Sequence, residues 1–255
     1  MNEKELRSFT PSERRFPDCT NLPTLYIFKS LFIRIRRLLW GRFLDKNYRI
    51  VWTMTAVSDA YGQAANVRNY FERKTIRAIL SDINKKHKII RACEIGCGYG
   101  RIIMALKDVV EYVKGFEREP DLVEIARASL PDIAFECVES LTAIHDDKPY
   151  DFVMTCTVLQ HLTDSYAQEV CSVMKKLAPE GYILIIEKTD SINVTANRDN
   201  EKQFISRARS VETYEKMVQP FRLVDIRDRI VEPTYSNSHP GKCMLFVSPA
   251  ITDEL

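Results

Sequence analysis

Three glycines and two charged residues are packed into eight positions near the middle of the chain. Residues 94–101 read Glu-Ile-Gly-Cys-Gly-Tyr-Gly-Arg, with Gly96, Gly98 and Gly100 at alternate positions. Glycine lets the backbone turn sharply and lets a ligand approach main-chain atoms that a Cβ would cover. An apolar run precedes this segment and an amphipathic run follows it, which predicts a strand, a glycine loop and a helix. The unpaired N–H groups at the start of that helix favour anionic or polar ligand groups.

The spacing of these glycines differs from that of a dinucleotide-binding loop. The dinucleotide fingerprint is G-x-G-x-x-G, and here the third glycine comes one residue early, so Arg101 occupies its place. Glu94 lies two residues before the first glycine, where its carboxylate would repel a pyrophosphate. The same carboxylate would attract a ligand that carries a positive amino group.

The segment resembles motif I of the class I, Rossmann-like S-adenosylmethionine (SAM) methyltransferases, which is written D/E-x-G-x-G-x-G. A glycine turn in another α/β domain is the alternative. The resemblance implies a three-layer α/β sandwich with a seven-stranded, mostly parallel sheet and an antiparallel last strand. It also implies that SAM is the cofactor and that the motif contacts it through Glu94, Gly96, Cys97, Gly98 and Gly100.

A second acidic residue follows the next predicted strand. Residues 112–116 form this strand, which ends at Glu117, and Pro120 opens a predicted helix over residues 121–130. Proline suits the first turn of a helix. An acid at the tip of a second strand accepts hydrogen bonds from ribose hydroxyls in dinucleotide folds. The resemblance implies this role for Glu117 toward SAM, with Arg118 beside it in the cofactor site.

Two more predicted strands add cofactor candidates. Residues 133–138 form the third strand, which leads into Glu139 and Ser140. The resemblance places these two residues next to the adenine. The fourth strand spans residues 150–156, and the resemblance places its Thr155 at the cofactor as well.

The residues after the fourth strand strengthen the resemblance. Residues 157–164 read Thr-Val-Leu-Gln-His-Leu-Thr-Asp, which is similar to a pattern found at this point in the family. A predicted helix over residues 165–177 and a fifth strand over residues 182–186 follow, and the strand ends at Glu187. The ordered motifs therefore cover about residues 89–188.

Two residues are candidates for catalysis. His161 follows the fourth strand and Glu187 ends the fifth, so both lie at the carboxyl edge, where this fold binds its ligands. A histidine can accept a hydroxyl proton near neutral pH. Glu187 either orients His161 or serves as a second base. The chemistry requires no metal, because SAM itself carries the reactive methyl group.

The acceptor of the methyl group stays open between three hypotheses. The first is O-methylation of a small molecule or glycan, which His161 favours. The second is methylation of a protein, because residues 161–164 with Trp52, Tyr61 and Gly62 loosely resemble N-terminal amine methyltransferases. The third is a non-catalytic SAM-binding protein, which the intact motif acids argue against.

The N-terminal region predicts a basic amphipathic extension over residues 1–45. Apolar residues recur at helical spacing within residues 25–42, together with several arginines. Such a helix binds an anionic membrane surface or packs on the catalytic domain. The methyltransferase domain is assigned to residues 46–255, with its core at 89–188, an acceptor lid at 190–209 and a closing helix and strands at 210–249. Arg207 and Arg209 of the lid are candidates for holding a charged group of the acceptor.

Charge and cysteine content exclude other classes. The net charge of +2 gives no nucleic-acid-binding signature, and we expect no nucleic-acid partner. None of the seven cysteines forms a C-x-x-C pair, which favours reduced thiols over disulfides or a zinc site. We therefore expect a cytoplasmic protein, peripheral at the inner membrane surface if the extension binds lipid. The sequence predicts no oligomeric state.

Overall fold

The computed structural model describes residues 63–189, 207–229 and 241–252. The predicted N-terminal extension at 1–45, its amphipathic segment at 25–42 and most of the predicted lid lie outside these residues. The helices are α1 (Gln63–Asn84), α2 (Met104–Lys107), α3 (Pro120–Ser129), α4 (Asp164–Leu177) and α5 (Val211–Val218). The strands are β1 (Arg91–Ile95), β2 (Tyr112–Glu117), β3 (Ala134–Cys137), β4 (Phe152–Cys156), β5 (Tyr182–Lys188), β6 (Arg222–Asp228) and β7 (Gly241–Val247).

The strands form one seven-stranded sheet in the order β3-β2-β1-β4-β5-β7-β6. The neighbours from β3 to β5 are parallel, and β7 runs antiparallel to both β5 and β6. This confirms the predicted Rossmann-like sheet with its antiparallel last strand, which is inserted between β5 and β6. The strand order reverses between β1 and β4, and in such sheets ligands bind outside the carboxyl ends at this point.

Two apolar layers cover the sheet and give the three-layer sandwich. Side chains of α1, α2 and α3 pack on one face, against Ala92, Phe152 and Met154. Side chains of α4 and α5 pack on the other face, against Cys93 and Val153. The alternation along β1 and β4 follows from the two-residue period of a strand. Both faces are buried, which explains why these strands read as nearly continuous apolar runs.

Local signals set the ends of several helices. Pro120 occupies the first turn of α3, and the Thr163 and Ser210 hydroxyls accept main-chain N–H groups at the starts of α4 and α5. The helix after the glycine loop begins at Met104, whereas the amphipathic run in the sequence begins two residues earlier, at Ile102. Ile102 and Ile103 are instead in a tight turn, because the loop continues through Gly100.

Within the described residues, no helix is long and apolar enough to cross a membrane.

Asp151 at the start of β4 fastens the beginning of β1. Its Oδ2 accepts the N–H groups of Ile90 and Arg91, each at 2.8 Å. Replacing Asp151 with alanine leaves both donors without this acceptor. We expect Asp151→Ala to lower the free energy of unfolding by about 2 kcal/mol, as is usual for hydrogen bonds to a charged group.

Urea denaturation followed by circular dichroism measures this change. Asp147→Ala is the matched control, since the Asp147 side chain is 98% exposed and is expected to change the stability by less than about 0.5 kcal/mol. Equal stability of both variants would contradict the role of Asp151.

Candidate functional site

The glycine loop follows β1 at the carboxyl edge of the sheet. Gly96, Gly98 and Gly100 have φ angles of 70°, 55° and 86°, which favour glycine. A Cβ on Gly96 would lie 2.6 Å from Val158 Cγ2, and one on Gly100 would lie 2.8 Å from a methyl group of Leu130. A Cβ on Gly98 would meet nothing within 4 Å. Gly96 and Gly100 are therefore required by packing, while Gly98 faces open space where a ligand can approach.

Main-chain hydrogen bonds tie the glycine loop to the end of β2. The N–H groups of Gly96 and Cys97 both donate to the Phe116 carbonyl, at 2.8 and 3.1 Å. The Cys97 thiol lies beneath the loop, and a Cβ on Gly115 would come within 2.6 Å of its sulfur. Burial raises the pKa of this thiol well above its usual value. The Cys97 side chain is therefore a buried packing group and not a reactive thiolate.

Glu117 ends β2 and binds the same loop. Its Oε2 accepts the Gly98 N–H at 2.8 Å, and its Oε1 accepts the N–H groups of Arg118 and Glu119 at 2.7 and 3.0 Å. Burial raises the pKa of this carboxyl group, and the three N–H donors oppose the rise. The carboxylate is therefore fixed in place at the strand tip. The Arg118 side chain pairs with Glu119, at 2.9 Å, so Arg118 reaches Glu117 only through its main chain.

The turn after β3 lies beside Glu117, because the Val138 N–H donates to the Glu117 carbonyl at 2.9 Å. Glu139 is exposed in this turn. The Ser140 hydroxyl lies 2.8 Å from both the Thr142 hydroxyl and the Tyr166 hydroxyl of α4. Ser140 thus fixes the turn against α4, whereas the Glu139 side chain extends toward solvent.

Glu94 is a buried acid with an unused acceptor atom. Its side chain lies on the face of β1 that packs against α1 to α3, and its Oε2 has no hydrogen-bond partner within the described residues. Burial raises the pKa of Glu94 to about 8, although the nearby Arg101 lowers it. A buried polar atom without a partner is costly and is rare in folded proteins. It marks a position where a donor group of a ligand fits.

A buried ion network, which the sequence analysis missed, lies next to Glu94. Glu72 of α1 is fully buried and pairs through Oε2 with Arg101 after the glycine loop. Its Oε1 accepts from Arg229, after β6, at 2.6 Å. The pairs are 29 and 157 residues apart in sequence, so no local pattern reveals them. The single sequence signal is Arg101 itself, in the place of a fingerprint glycine.

The second loop of the site follows β4. Thr157 has a φ of 58°, which is unusual for a β-branched residue and often marks a functional site. The next three N–H groups, of Val158, Leu159 and Gln160, donate to the Glu187 carboxylate at 2.8, 2.8 and 3.2 Å. Thr157 was not among the sequence candidates, because nothing in its neighbours predicts a positive φ.

The described hydrogen bonds of Glu187 are made to main-chain N–H groups and not to the His161 ring. Glu187 is fully buried, and burial raises its pKa to about 7 while the three N–H donors oppose the rise. Its carboxylate holds the loop on which His161 lies, instead of orienting the His161 ring directly. This geometry favours a positioning residue over a second base.

Arg209 fastens the same loop from the α5 side. Its guanidinium donates to the carbonyls of Leu159 and Leu162 at 2.6 and 2.7 Å and pairs with Asp164 at 2.8 Å. The side chain is buried. Arg209 thus supports the loop, which corrects the expectation that it holds a charged group of the acceptor.

His161 and Thr155 occupy different environments. His161 ends a 3₁₀ turn (Leu159–His161), is half-buried, and has its Nε2 2.8 Å from Gln160 Nε2. Thr155 pairs in register with Ile95 and Ile185, whose side chains pack under α4 and α5. Its hydroxyl is buried on that face of the sheet. The structure therefore leaves His161 half-buried after β4, whereas the Thr155 side chain is buried under the helices.

No cluster of three or more histidine, cysteine, aspartate or glutamate side chains within the described ranges could hold a metal ion.

Comparison with known proteins finds similarity to methyltransferases. Residues 92–181 match a family model described as a methyltransferase domain. An uncharacterized methyltransferase of Anoxybacillus flavithermus is 24% identical over 142 residues, which cover 56% of this chain and 66% of that protein. The chain thus spans just under two thirds of the length of this relative.

Solved structures share the fold at low identity. A SAM-dependent methyltransferase of Leishmania major has a TM-score of 0.62 and 20% identity, covering 81% of this chain and 82% of that one. An N-methyltransferase of Bradyrhizobium japonicum, in complex with S-adenosylhomocysteine, has a TM-score of 0.56 and 16% identity, with coverages of 70% and 88%. Magnesium protoporphyrin IX methyltransferase of Synechocystis with bound SAM has a TM-score of 0.55 and 13% identity, with coverages of 86% and 96%.

The residues at this edge fit SAM. Glu94 offers a buried carboxylate oxygen for the cationic amino group, and Gly98 leaves open space for a ligand beside the loop. Glu117 offers a fixed carboxylate at the tip of β2, whose oxygens retain lone pairs for the ribose hydroxyls. Charge, space and acceptor atoms are thus compatible with SAM.

Alanine substitutions at Gly98 and Gly96 separate binding from packing. In Gly98→Ala the new Cβ enters open space, so we expect the affinity for SAM to fall at least about tenfold, which is 1.4 kcal/mol. The left-handed φ costs about 1–2 kcal/mol of stability in either variant. In Gly96→Ala the clash with Val158 adds to this cost. Calorimetric titration with SAM and thermal unfolding measure both effects, and unchanged binding by a folded Gly98→Ala would refute this placement of the ligand.

The raised pKa of Glu94, about 8, couples SAM binding to pH. Below that pH the free protein carries a protonated Glu94, which must lose its proton to pair with the SAM amino group. We therefore expect the affinity to rise with pH between 6 and 7.5, by at most about tenfold per unit, while the amino group of SAM stays protonated.

Glu94→Gln removes this dependence. The raised pKa also means that the stability from protonated Glu94 is complete below the unfolded pKa and is lost as the pH rises through 8. Glu94→Gln is therefore expected to lose less stability than the wild type as the pH rises from about 5 to 8. Calorimetric titrations with SAM at several pH values measure the affinity slope, and unfolding at the same pH values measures the stability. Glu111→Gln, at an exposed position, is the control for both. The same affinity slope in Glu94→Gln would contradict the assignment.

Proposed function

We propose that residues 92–181 form a class I, SAM-dependent methyltransferase domain and that the chain transfers the SAM methyl group to a hydroxyl of a small molecule or glycan. The observation that carries this proposal is the position of His161. It ends a turn beside the carboxyl end of β4, and Glu187 holds that turn through three main-chain hydrogen bonds. A potential proton acceptor is thereby fixed at the edge of the sheet where the fold binds its ligands.

The cofactor side of the site is assigned to residues of the glycine loop and the neighbouring strand tips. We assign Glu94 to the amino group of SAM, Glu117 to the ribose hydroxyls and Glu139 to the adenine. SAM supplies an electrophilic methyl group on its sulfonium. The protein must hold the acceptor in line with that methyl group, which removes most of the entropic cost of the encounter.

We assign to His161 the role of accepting the proton of the acceptor hydroxyl. A hydroxyl is a weak nucleophile until it begins to lose its proton, and a positioned base typically contributes a factor of about 10²–10⁴. A histidine side chain changes charge in the physiological range. Glu187 and Arg209 act through the loop, since both are bonded to main-chain atoms of residues 158–162. They are positioning residues for His161.

Methylation of an amine, in a protein or a small molecule, is the second candidate. One observation favours it: the Bradyrhizobium japonicum structure that shares this fold is an N-methyltransferase. An ammonium group must also lose a proton before transfer, so the same histidine would serve. Any transfer of methyl to an acceptor would exclude the third candidate, a non-catalytic SAM-binding protein. Binding of residues 25–42 to a membrane stays a prediction.

Two variants test the assignment of roles. Glu117→Ala is expected to weaken SAM binding at least about tenfold, because hydrogen bonds to a charged group contribute about 1.5–3 kcal/mol each. His161→Ala is expected to bind SAM within about twofold of the wild type but to lower kcat by about 10² or more. Calorimetry measures the first, and transfer of radiolabelled methyl to panels of hydroxyl and amine acceptors measures the second.

Glu180→Ala, an exposed acid in the turn before β5, is the matched control for both measurements. Full turnover by His161→Ala with the true acceptor would remove the histidine from the mechanism. Transfer to amines alone would replace the proposal of O-methylation by the second candidate.

A further inference from the structure

We propose that Gln160 is a positioning residue that sets where the proton of His161 resides, on Nδ1 and not on Nε2. This inference deepens the proposed function and rests on it only for its effect on turnover. It concerns the residue that immediately precedes His161 in the 3₁₀ turn.

The orientation of the Gln160 amide is fixed by β5. Gln160 is buried, its N–H donates to Glu187 at 3.2 Å, and its carbonyl accepts the Arg207 N–H at 2.7 Å. Its side-chain Oε1 accepts the main-chain N–H of Lys188 at 3.2 Å. A main-chain N–H can only donate, so the amide atom that faces it must be the oxygen. The other end of the amide is therefore the NH₂ group.

That NH₂ group faces His161. Gln160 Nε2 lies 2.8 Å from His161 Nε2, which is a hydrogen-bonding distance. The amide nitrogen can only donate, so the ring nitrogen must offer its lone pair. A neutral imidazole carries one proton, and it must then reside on Nδ1. A proton on Nε2 would place two donors against each other at the same distance.

The arrangement restricts how His161 takes up a proton. When a proton moves from an acceptor hydroxyl to Nε2, the O–H bond breaks and the N–H bond forms, and the hydrogen bond from the Gln160 amide to Nε2 must break first. Within the described residues, the charged groups on the elements packed around this turn include Glu187 and Lys188 of β5, Arg207 and Arg209 before α5, and Asp164 of α4. Glu187 contacts the turn through main-chain N–H groups, whereas the Gln160 amide lies at hydrogen-bonding distance from Nε2 itself.

The wild-type protein tests the proton position without any substrate. The chain has four histidines, so the imidazole ¹⁵N spectrum is simple. The set of signals that disappears in His161→Ala belongs to His161. We expect, above pH 7, an unprotonated Nε2 and a protonated Nδ1 for His161. A protonated Nε2 in the neutral ring would overturn the proposal.

Two variants test whether Gln160 is the cause. In Gln160→Glu a carboxylate replaces the donor and accepts from Nε2–H, so the neutral ring is expected to carry its proton on Nε2 and the charged ring to persist to higher pH. Gln160→Met removes the donor without adding charge and is expected to give a mixture of both tautomers. An unchanged spectrum in both variants would overturn the proposal. Gln160→Met keeps the test decisive if the added charge beside Glu187 prevents folding.

Kinetics separates this inference from the proposed function. With a known acceptor, Gln160→Glu is expected to lose about tenfold or more in kcat at neutral pH and to regain activity as the pH rises, with SAM affinity unchanged. A merely structural role would instead lower the stability without shifting the pH profile. If no acceptor is ever methylated, the proposed function fails, while the tautomer observed in the spectrum still decides the role of Gln160.

Discussion

Two buried carboxylates, each accepting three main-chain N–H groups, hold the two loops of the candidate site. Glu117 binds the glycine loop and the start of α3, and Glu187 binds the loop after β4. Burying a carboxylate is costly, and hydrogen bonds to its charged form offset that cost. Because loop N–H groups provide these bonds, each loop must keep the conformation that brings its donors together. The shape of the site and the ionisation of its acids are thereby linked.

The glycine loop is also connected to distant elements through charge. Glu72, Arg101 and Arg229 join α1, the glycine loop and the end of β6 in one buried network, and Arg101 lies near Glu94. Breaking a buried pair leaves an uncompensated charge, which costs about 3–5 kcal/mol. The network therefore fixes α1 against the loop. It also provides the positive charge that opposes the protonation of Glu94.

The loop after β4 combines strain with dense hydrogen bonding. Thr157 keeps a left-handed conformation, and Glu187 and Arg209 bind the main chain on either side of the turn that ends at His161. Such strain persists only where the surrounding bonds determine the conformation. The catalytic proposal depends on this rigidity, since a base acts efficiently only when its position is fixed. The amide of Gln160 extends the same control from the backbone to the imidazole ring.

The sequence by itself determined the fold class, the cofactor and most strand positions. Glycine spacing, the acid before it and the acid that ends β2 are local patterns, and they reflect constraints that act within a few residues. Tertiary structure decided the rest. The partners of Glu187, the exposure of Glu139, the inward side chain of Thr155 and the pairing of Glu72 with Arg229 all depend on contacts between distant segments. A sequence states which groups are available, but only packing decides which donors reach a buried carboxylate, and hence whether it acts on a ligand or on its own backbone.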